Sequence, residues 1–187
     1  MLAMTIVSGS ALFFHGIGGL KSIDHDWLIE PGKSVGKVQL GHELTHVMKT
    51  LGQPKEVSGM EGEAAMGHIW TIWPGNNGHE LDVYTVRGPE DSASLPQNFV
   101  RQIRLTSPAF HTENGLHVGV GLERFNRFIN PQSLIENTGK RRLYDDSSNG
   151  IAYEFAPRGK GWVCSAITIH PRGKGVQNEY LPYPHDL

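Results

Sequence analysis

One run of five residues has the composition and spacing of a metal-binding motif. His42-Glu43-Leu44-Thr45-His46 places two histidines four residues apart, with a glutamate directly after the first. On a helix this spacing brings both imidazoles to one face, where they can hold Zn²⁺, and the glutamate can take a proton from a metal-bound water. The motif therefore raises the hypothesis of a zinc metallopeptidase with His42 and His46 as ligands and Glu43 as the base.

A zinc peptidase also needs a third protein ligand. In peptidases that use a third histidine, this ligand follows the motif at a fixed spacing, but Gly52 and Gln53 occupy that part of the sequence. A later glutamate would therefore have to be the third ligand. The nearest candidates are Glu61 and Glu63. The motif resembles the active-site helix of thermolysin-like peptidases, and that resemblance implies a glutamate as the third ligand.

The expected helix geometry argues against a zinc cleft. At about 100° per residue, with His42 at zero, the two histidines lie at about 0° and 40°. The apolar side chains centre near about 190°, and they are Leu44, Val47, Met48 and Leu51. The histidines therefore belong to a polar face, which we expect to meet water. We favour a solvated histidine pair, so the sequence predicts no bound metal, no cofactor and no catalytic residue.

The composition excludes several classes of function. The chain has 187 residues, 38% hydrophobic and 19% charged, with a formal net charge of −2. It can form a core, and it gives no electrostatic reason to expect nucleic acid or an anionic membrane as partner. Cys164 is the only cysteine, so no internal disulfide can form, and its apolar alternating surroundings predict a buried side chain. The 23 glycines and 11 prolines predict many turns and a β-rich structure.

A repeated pattern organises most of the chain. The apolar spacing of the segment that ends at Leu51 recurs in a second segment before Pro131. When the two segments are aligned at one offset, the matched pairs are Leu40 and Val118, Gly41 and Gly119, Leu44 and Leu122, Val47 and Phe125, and Leu51 and Ile129. Each predicted helix precedes a hairpin and a further strand. The predicted strands are Ile69–Trp73, Glu80–Val86 and Phe99–Thr106 in the first unit, and Arg142–Asp145, Ile151–Ala156 and Trp162–His170 in the second. The order of elements predicts a tandem repeat.

The opening of the first unit resembles a known family. The string from Ile29 to Gly41, followed by a helix and then Leu51-Gly52-Gln53-Pro54, is similar to the opening of repeats in exported bacterial proteins of the β-lactamase-inhibitor-like class. The stretch Thr106–Gly119 resembles the join between their copies, and single-repeat relatives occur among outer-membrane assembly lipoproteins. The resemblance implies an α+β fold in which tandem helix-plus-antiparallel-strand repeats form one curved sheet with helices on one face. The inhibitor itself uses disulfides, which one cysteine forbids, so the resemblance transfers no binding residues.

The repeat also predicts the domain organisation. We expect an N-terminal arm or signal-like segment, two repeats and an irregular tail, over residues 1–28, 29–111, 112–173 and 174–187. The apolar stretch Met1–Phe14 is too short to span a bilayer as a helix, which needs roughly 20 residues. Leu2–Val7, followed by small residues, is similar to the end of a secretory signal, although no Lys or Arg precedes it. We expect an exported protein, periplasmic or secreted, and otherwise a cytoplasmic one.

Strand alternation predicts binding residues on the uncovered face of the sheet. Trp70 and Trp73 lie on opposite sides of one strand, so one of them faces away from the helices in either register. Exposed aromatic rings near arginine are typical of protein-contact surfaces, and the candidates are Trp70, Trp73, Tyr84, Arg101 and Arg104. The alternative is that the tail or the long loops cover this face. The sequence favours a non-catalytic binding or inhibitor-like module that contacts another protein through an open sheet face, without nucleic acid and without a membrane span.

Overall fold

The computed structural model describes residues 25–58, 65–71, 79–88 and 97–176. Its strands are β1 (Leu28–Glu30), β2 (Ser34–Val35), β3 (Val38–Gln39), β4 (Glu56–Ser58), β5 (Ala65–Thr71), β6 (Glu80–Arg87), β7 (Asn98–Leu105), β8 (His111–Thr112), β9 (Leu134–Asn137), β10 (Arg142–Asp146), β11 (Ile151–Arg158) and β12 (Gly161–Ile169). The helices are α1 (Leu44–Leu51) and α2 (Leu122–Phe125), with short 3-10 turns at His25–Trp27 and Pro131–Ser133. The fold is α+β and predominantly β.

The strands form two sheets. The larger sheet has the order β4-β5-β6-β7-β12-β11-β10-β9 and is antiparallel throughout. The smaller sheet has the order β3-β2-β1-β8, and β1 pairs with β8 in parallel. In the larger sheet β7 and β12 are central neighbours, so strands from the two halves of the chain meet there.

One face of the larger sheet carries the core. Ile151, Tyr153 and Phe155 alternate along β11 and all three are buried, as their spacing predicts. Phe125 of α2 packs on this face, with its ring centroid 5.1 Å from that of Tyr153 and 5.0 Å from that of Phe155. Val47 of α1 belongs to the same buried cluster, as do side chains of the smaller sheet. The two helices and the smaller sheet therefore cover the same face.

The two helices begin with the same contacts to the central strands. Before each helix, a glycine N–H donates to a strand carbonyl, and the N–H of that strand residue donates back to the residue after the glycine. The bonds join Gly41 to Val100 and Val100 to His42 before α1, and Gly119 to Cys164 and Cys164 to Val120 before α2. Both glycines have positive φ, 81° and 92°, a conformation that glycine adopts without steric cost.

The helices are shorter than the sequence predicts. Glu43 has φ −64° and ψ 142°, so the chain is still extended when it reaches Leu44, where α1 begins. Helix α2 has only four residues, and the N–H groups of Phe128 and Ile129 then both donate to the carbonyl of Phe125. Phe125 and Ile129 are nevertheless buried, because turns can satisfy the same apolar spacing. The apolar spacing from Leu122 to Ile129, which matches that from Leu44 to Leu51, is therefore not helical over its whole length.

The strand predictions are confirmed in the described part of the chain. The predicted strand Glu80–Val86 corresponds to β6, and the predicted strand Ile151–Ala156 corresponds to β11 with two further residues. Within the described ranges, six strands were not predicted: β4 and β9 at the edges of the larger sheet, and all four strands of the smaller sheet. The described residues thus form two sheets rather than the single curved sheet that the resemblance implies. The expected boundary between the units, after residue 111, falls inside β8.

A turn glycine joins the two sheets. Gly150, between β10 and β11, has φ 73°, and its carbonyl accepts hydrogen bonds from the N–H groups of Gly32 and His170, each at 3.1 Å. A Cβ at residue 150 would lie 2.4 Å from the carbonyl oxygen of His170 and 2.8 Å from the Cα of Gly32. The turn after β1 can therefore approach the larger sheet only because residue 150 has no side chain.

Candidate functional site

The histidine pair does not have the geometry of a zinc motif. That motif needs both histidines on one helix, whereas His42 is held in an extended segment by Val100 and only His46 lies within α1. The ring centroids are 4.5 Å apart in an edge-to-face contact. Burial, with a smaller contribution from His46, lowers the pKa of His42. The projection that treated residues 42–51 as one helix is wrong. His42 is bonded to Val100 of β7, so the helix begins only at Leu44.

A third metal ligand is also missing from the part of the chain that the structure describes. In those ranges, no group of three or more His, Cys, Asp or Glu side chains is placed to hold a metal ion. The two glutamates considered as third ligands, Glu61 and Glu63, lie outside the described residues. The histidine pair therefore supplies two imidazoles in a geometry unlike that of a peptidase.

The surface of the larger sheet that faces away from the helices carries a row of polar side chains. Asp82, Arg104 and Thr168 are direct neighbours across β6, β7 and β12. Arg104 lies between the buried core residues Ile103 and Leu105, so alternation directs these three side chains away from the helices. We call this surface, which includes Asp82, Tyr84, Arg104 and Thr168, the far face.

Arg104 connects two carboxylates on the far face. Its Nη1 donates to Oδ2 of Asp82 at 3.0 Å, and its Nε donates to Oε1 of Glu154 at 2.7 Å. The side chains of Arg104 and Glu154 are only 10% and 2% exposed. Burial alone would lower the pKa of Arg104, but the charges and hydrogen bonds of Glu154 and then Asp82 raise it overall. The guanidinium is thus held charged inside the protein.

The same charge network continues to the edge of the sheet. Glu154 lies beside Arg141, with 3.9 Å between Oε2 and Nη1, and Nε of Arg141 donates to Oε1 of Glu136 at 2.9 Å. The charges alternate in sign from Asp82 to Glu136. Alternation of this kind offsets part of the desolvation cost of burying charged groups.

Two atoms at the centre of this network have no hydrogen-bond partner among the described residues. They are Oδ1 of Asp82 and Oγ1 of Thr168, and both atoms are buried. Burial raises the pKa of Asp82, although the charge of Arg104 acts in the opposite direction. Asp82 therefore combines a raised pKa with a buried oxygen that has no hydrogen-bond partner among the described residues.

The raised pKa of Asp82 predicts the pH dependence of an Asp82→Asn variant. Because the pKa of Asp82 is raised by folding, its contribution to the free energy of unfolding is fully present below the unfolded pKa, about 3.9, and is lost as the pH rises through the folded pKa. Asparagine removes that titration. We expect the stability of the variant relative to the unmodified protein to improve between pH 4 and pH 7, measured by urea unfolding at both values. If the stability of the variant relative to the unmodified protein falls between pH 4 and pH 7, the role assigned to Asp82 is wrong.

A cavity lies where the far face meets the segment after β12. Its volume is about 360 Å³. Strands β6 and β7 form one wall and the segment that follows β12 forms the other. The lining includes Tyr84, Val86, Arg101, His170, Pro171 and Lys174.

His170 and Asp145 fix the second wall of this cavity. Nε2 of His170 lies 2.9 Å from Oδ1 of Asp145, and Nδ1 lies 3.2 Å from the carbonyl oxygen of Pro171. Oδ2 of Asp145 accepts the N–H of Val176 at 3.0 Å, and the Val176 side chain packs against buried residues of β10 and β11. Both ring nitrogens of His170 and both carboxylate oxygens of Asp145 thus have a hydrogen-bond partner. These contacts hold the segment after β12 against the far face.

The structure brings together two of the five predicted contact residues. Tyr84 and Arg101 line the cavity, whereas Arg104 is buried in the charge network and offers no surface contact. Trp70 was expected as a surface candidate, but it is 3% exposed in the core on the helix side and donates its indole N–H to a backbone carbonyl. Trp73 lies outside the described residues. The far face is also partly covered by the segment after β12, as one of the two sequence interpretations allowed.

Sequence reasoning missed the residues of the second wall. Asp145 and His170 entered the sequence analysis only as the last residues of predicted strands, and Lys174 only as part of the irregular tail. The only available signal was the pair of basic residues Arg172 and Lys174 directly after a predicted strand. Side-chain periodicity cannot predict where an irregular segment packs.

Comparisons with known proteins give structural similarity at low identity. No family model matches the chain, and no curated protein matches it. The fold is similar to that of a cysteine-rich secretory protein from Staphylococcus aureus subsp. aureus Mu50, with 13% identity and a TM-score of 0.46 over 76% of this chain, which spans about half (48%) of that protein. It is also similar to the uncharacterized protein yfeY from Escherichia coli, with 15% identity and a TM-score of 0.41 over 75% of this chain and 97% of the other. Neither helix in the described ranges has the length and apolarity that crossing a membrane requires.

Proposed function

We propose that the protein is a non-catalytic binding or inhibitor-like module that contacts another protein through its far face. The observation that supports this proposal is the cavity between the far face and the segment after β12. Arg101 and Lys174 line it, and within the described ranges neither side chain forms a hydrogen bond or an ion pair. Charged groups without partners at the mouth of a cavity are available to a ligand.

The proposal includes a tandem-repeat architecture in which both units contribute strands to the larger sheet. Matching backbone bonds join the segment before α1 to Val100 and the segment before α2 to Cys164, which supports two copies of one unit. In each half a helix precedes four strands that are consecutive in the larger sheet. This is the architecture that the resemblance to the β-lactamase-inhibitor-like class implies.

Export forms part of the same proposal. It is supported by the apolar run Leu2–Val7 and the small residues that follow it. These residues lie outside the described ranges. An extracellular or periplasmic location would place the partner protein in the same compartment.

Site-specific cross-linking tests the far face as the contact surface. A photoreactive phenylalanine analogue is placed at Val86, a neutral residue of the cavity lining, and for comparison at Thr50, an exposed residue of α1. In cells of the native organism we expect one discrete cross-linked product from position 86 and none from position 50. Cross-links from position 50 alone, or no product from position 86, would show that the far face is not the contact surface.

Zinc content separates this proposal from the metallopeptidase hypothesis. Protein purified without a histidine tag should contain substoichiometric zinc that a weak chelator removes, and His42→Ala and Glu43→Gln should melt at the temperature of the unmodified protein. The reason is that His42 and His46 have no third ligand in the described ranges. One tightly bound zinc per chain, lost in His42→Ala, would overturn the non-catalytic proposal.

A further inference from the structure

We propose that the cavity at the far face binds a glutamate or aspartate side chain from an acidic segment of the partner protein. This inference rests on the proposed function and specifies the chemistry that the partner presents. The cavity then acts as a receptor for a carboxylate, with Arg101 and Lys174 as its charged groups.

The charges of the lining favour an anion. Arg101 and Lys174 both contribute to the cavity and are exposed to solvent. None of the described residues that line the cavity is acidic. Asp145, which contacts the lining residue His170, has both oxygens engaged by His170 and Val176. Within the described ranges, neither cation forms an ion pair with an acidic side chain.

A β-bulge directs Arg101 into this cavity. In the pairing of β6 with β7, Tyr84 lies opposite Gln102 and Thr85 lies opposite Val100, so Arg101 has no opposite residue on β6. Such an extra residue changes the direction in which side chains project, and bulges are frequent beside binding sites. The bulge explains how Arg101 lines the cavity together with Tyr84, although strict alternation would direct these side chains to opposite faces of the sheet.

The uncharged lining fits the rest of an acidic side chain. Tyr84, Val86 and Pro171 provide carbon surface beside the two cations, and a glutamate has two methylene groups before its carboxylate. Arginine binds a carboxylate through two parallel hydrogen bonds, and lysine adds a point charge. The volume of about 360 Å³ is at the small end of ligand pockets, which span roughly 300–1,000 Å³. It suits one side chain of a peptide better than a large cofactor.

A peptide of defined charge tests this inference. The probe is fluorescein-labelled hexaglutamate with a C-terminal amide, so that the peptide part carries only side-chain carboxylates. Hexalysine with the same label and a C-terminal amide is the comparison probe, so any binding through the label would appear with both peptides. Fluorescence anisotropy at low salt, about 20 mM, limits the screening of the exposed charges. We expect saturable binding of hexaglutamate and no binding of hexalysine.

Two charge-matched double variants provide the decisive comparison. Arg101→Gln/Lys174→Gln removes the cations of the cavity, whereas Arg158→Gln/Lys160→Gln removes one arginine and one lysine that are exposed at the turn between β11 and β12. We expect the first variant to weaken hexaglutamate binding about tenfold or more and the second to weaken it less than about twofold. Thermal melting of both variants checks that the fold is intact, and equal melting temperatures are expected because all four side chains are exposed.

Each alternative outcome has a definite meaning. Equal weakening in both variants, or no binding of hexaglutamate, would overturn the inference. Free glutarate that binds as tightly as the peptide would also overturn it, because the site would then recognise a small dicarboxylate. If the peptide fails while the cross-link at position 86 is still formed, the proposed function stands and only the acidic-segment inference falls. If the cross-link also fails, the proposed function falls with it.

Discussion

Replacing Arg104 with methionine is expected to lower the free energy of unfolding by about 3–5 kcal/mol. The change leaves Glu154, which is 2% exposed, and Asp82 without the guanidinium that compensates their charges. The methionine side chain replaces most of the volume, so the loss is electrostatic rather than a cavity effect. Urea or thermal unfolding at pH 7 measures it. The deficit should shrink as the pH falls towards 4, because protonation of Asp82, whose pKa burial already raises, removes one of the uncompensated charges.

Two further variants separate the network from a general effect of losing an arginine. Arg158→Met, at the exposed end of β11, should change the stability by no more than about 0.5 kcal/mol. Arg104→Met combined with Glu154→Gln should be more stable than Arg104→Met alone, because the buried carboxylate is neutralised. Equal losses in Arg104→Met and Arg158→Met would show that the charge network contributes nothing to stability.

Gly150→Ala is expected to destabilise the protein by about 2–4 kcal/mol. Part of the loss, about 1 kcal/mol, comes from placing a non-glycine residue at positive φ. The remainder comes from the new methyl group, which would lie 2.4 Å from the carbonyl oxygen of His170 and 2.8 Å from the Cα of Gly32. Both are backbone atoms, so they cannot move aside without separating the smaller sheet from the larger one.

The matched control for this substitution is Gly159→Ala. Gly159 also has positive φ, 61°, but a Cβ there would have no other atom within 4 Å. Its loss should therefore be limited to the backbone contribution of about 1 kcal/mol. If the two alanine variants lose the same stability in thermal unfolding, the close approach at Gly150 does not contribute.

The sequence predicts the strands well because their periodicity is local. In β11 the position of Ile151, Tyr153 and Phe155 on one face of the strand follows from their alternation. The helix boundaries are predicted less well, because they depend on which backbone groups form hydrogen bonds with distant strands. Nothing in the spacing of His42 and His46 shows that Val100, far along the chain, holds His42 outside the helix.

The site depends on register and on contacts between distant residues. Arg104 meets Glu154 only because β7, β12 and β11 pair in one register, and a shift of one residue would direct Arg104 into the core. Arg101 was among the predicted contact residues and lines the cavity, but the bulge that orients it cannot be predicted from its neighbours. Lys174 joins it through contacts of His170 and Asp145, which are 25 residues apart in the chain.

The central position of β12 has a consequence for how the chain is made. A ribosome synthesises β7 well before β12, so for a period on the order of ten seconds the nascent chain has no partner for that side of β7. An unpaired strand edge of this kind can pair with other chains and initiate aggregation. The nascent first half therefore depends on chaperones, or on remaining unfolded, until the second half emerges and β12 closes the sheet.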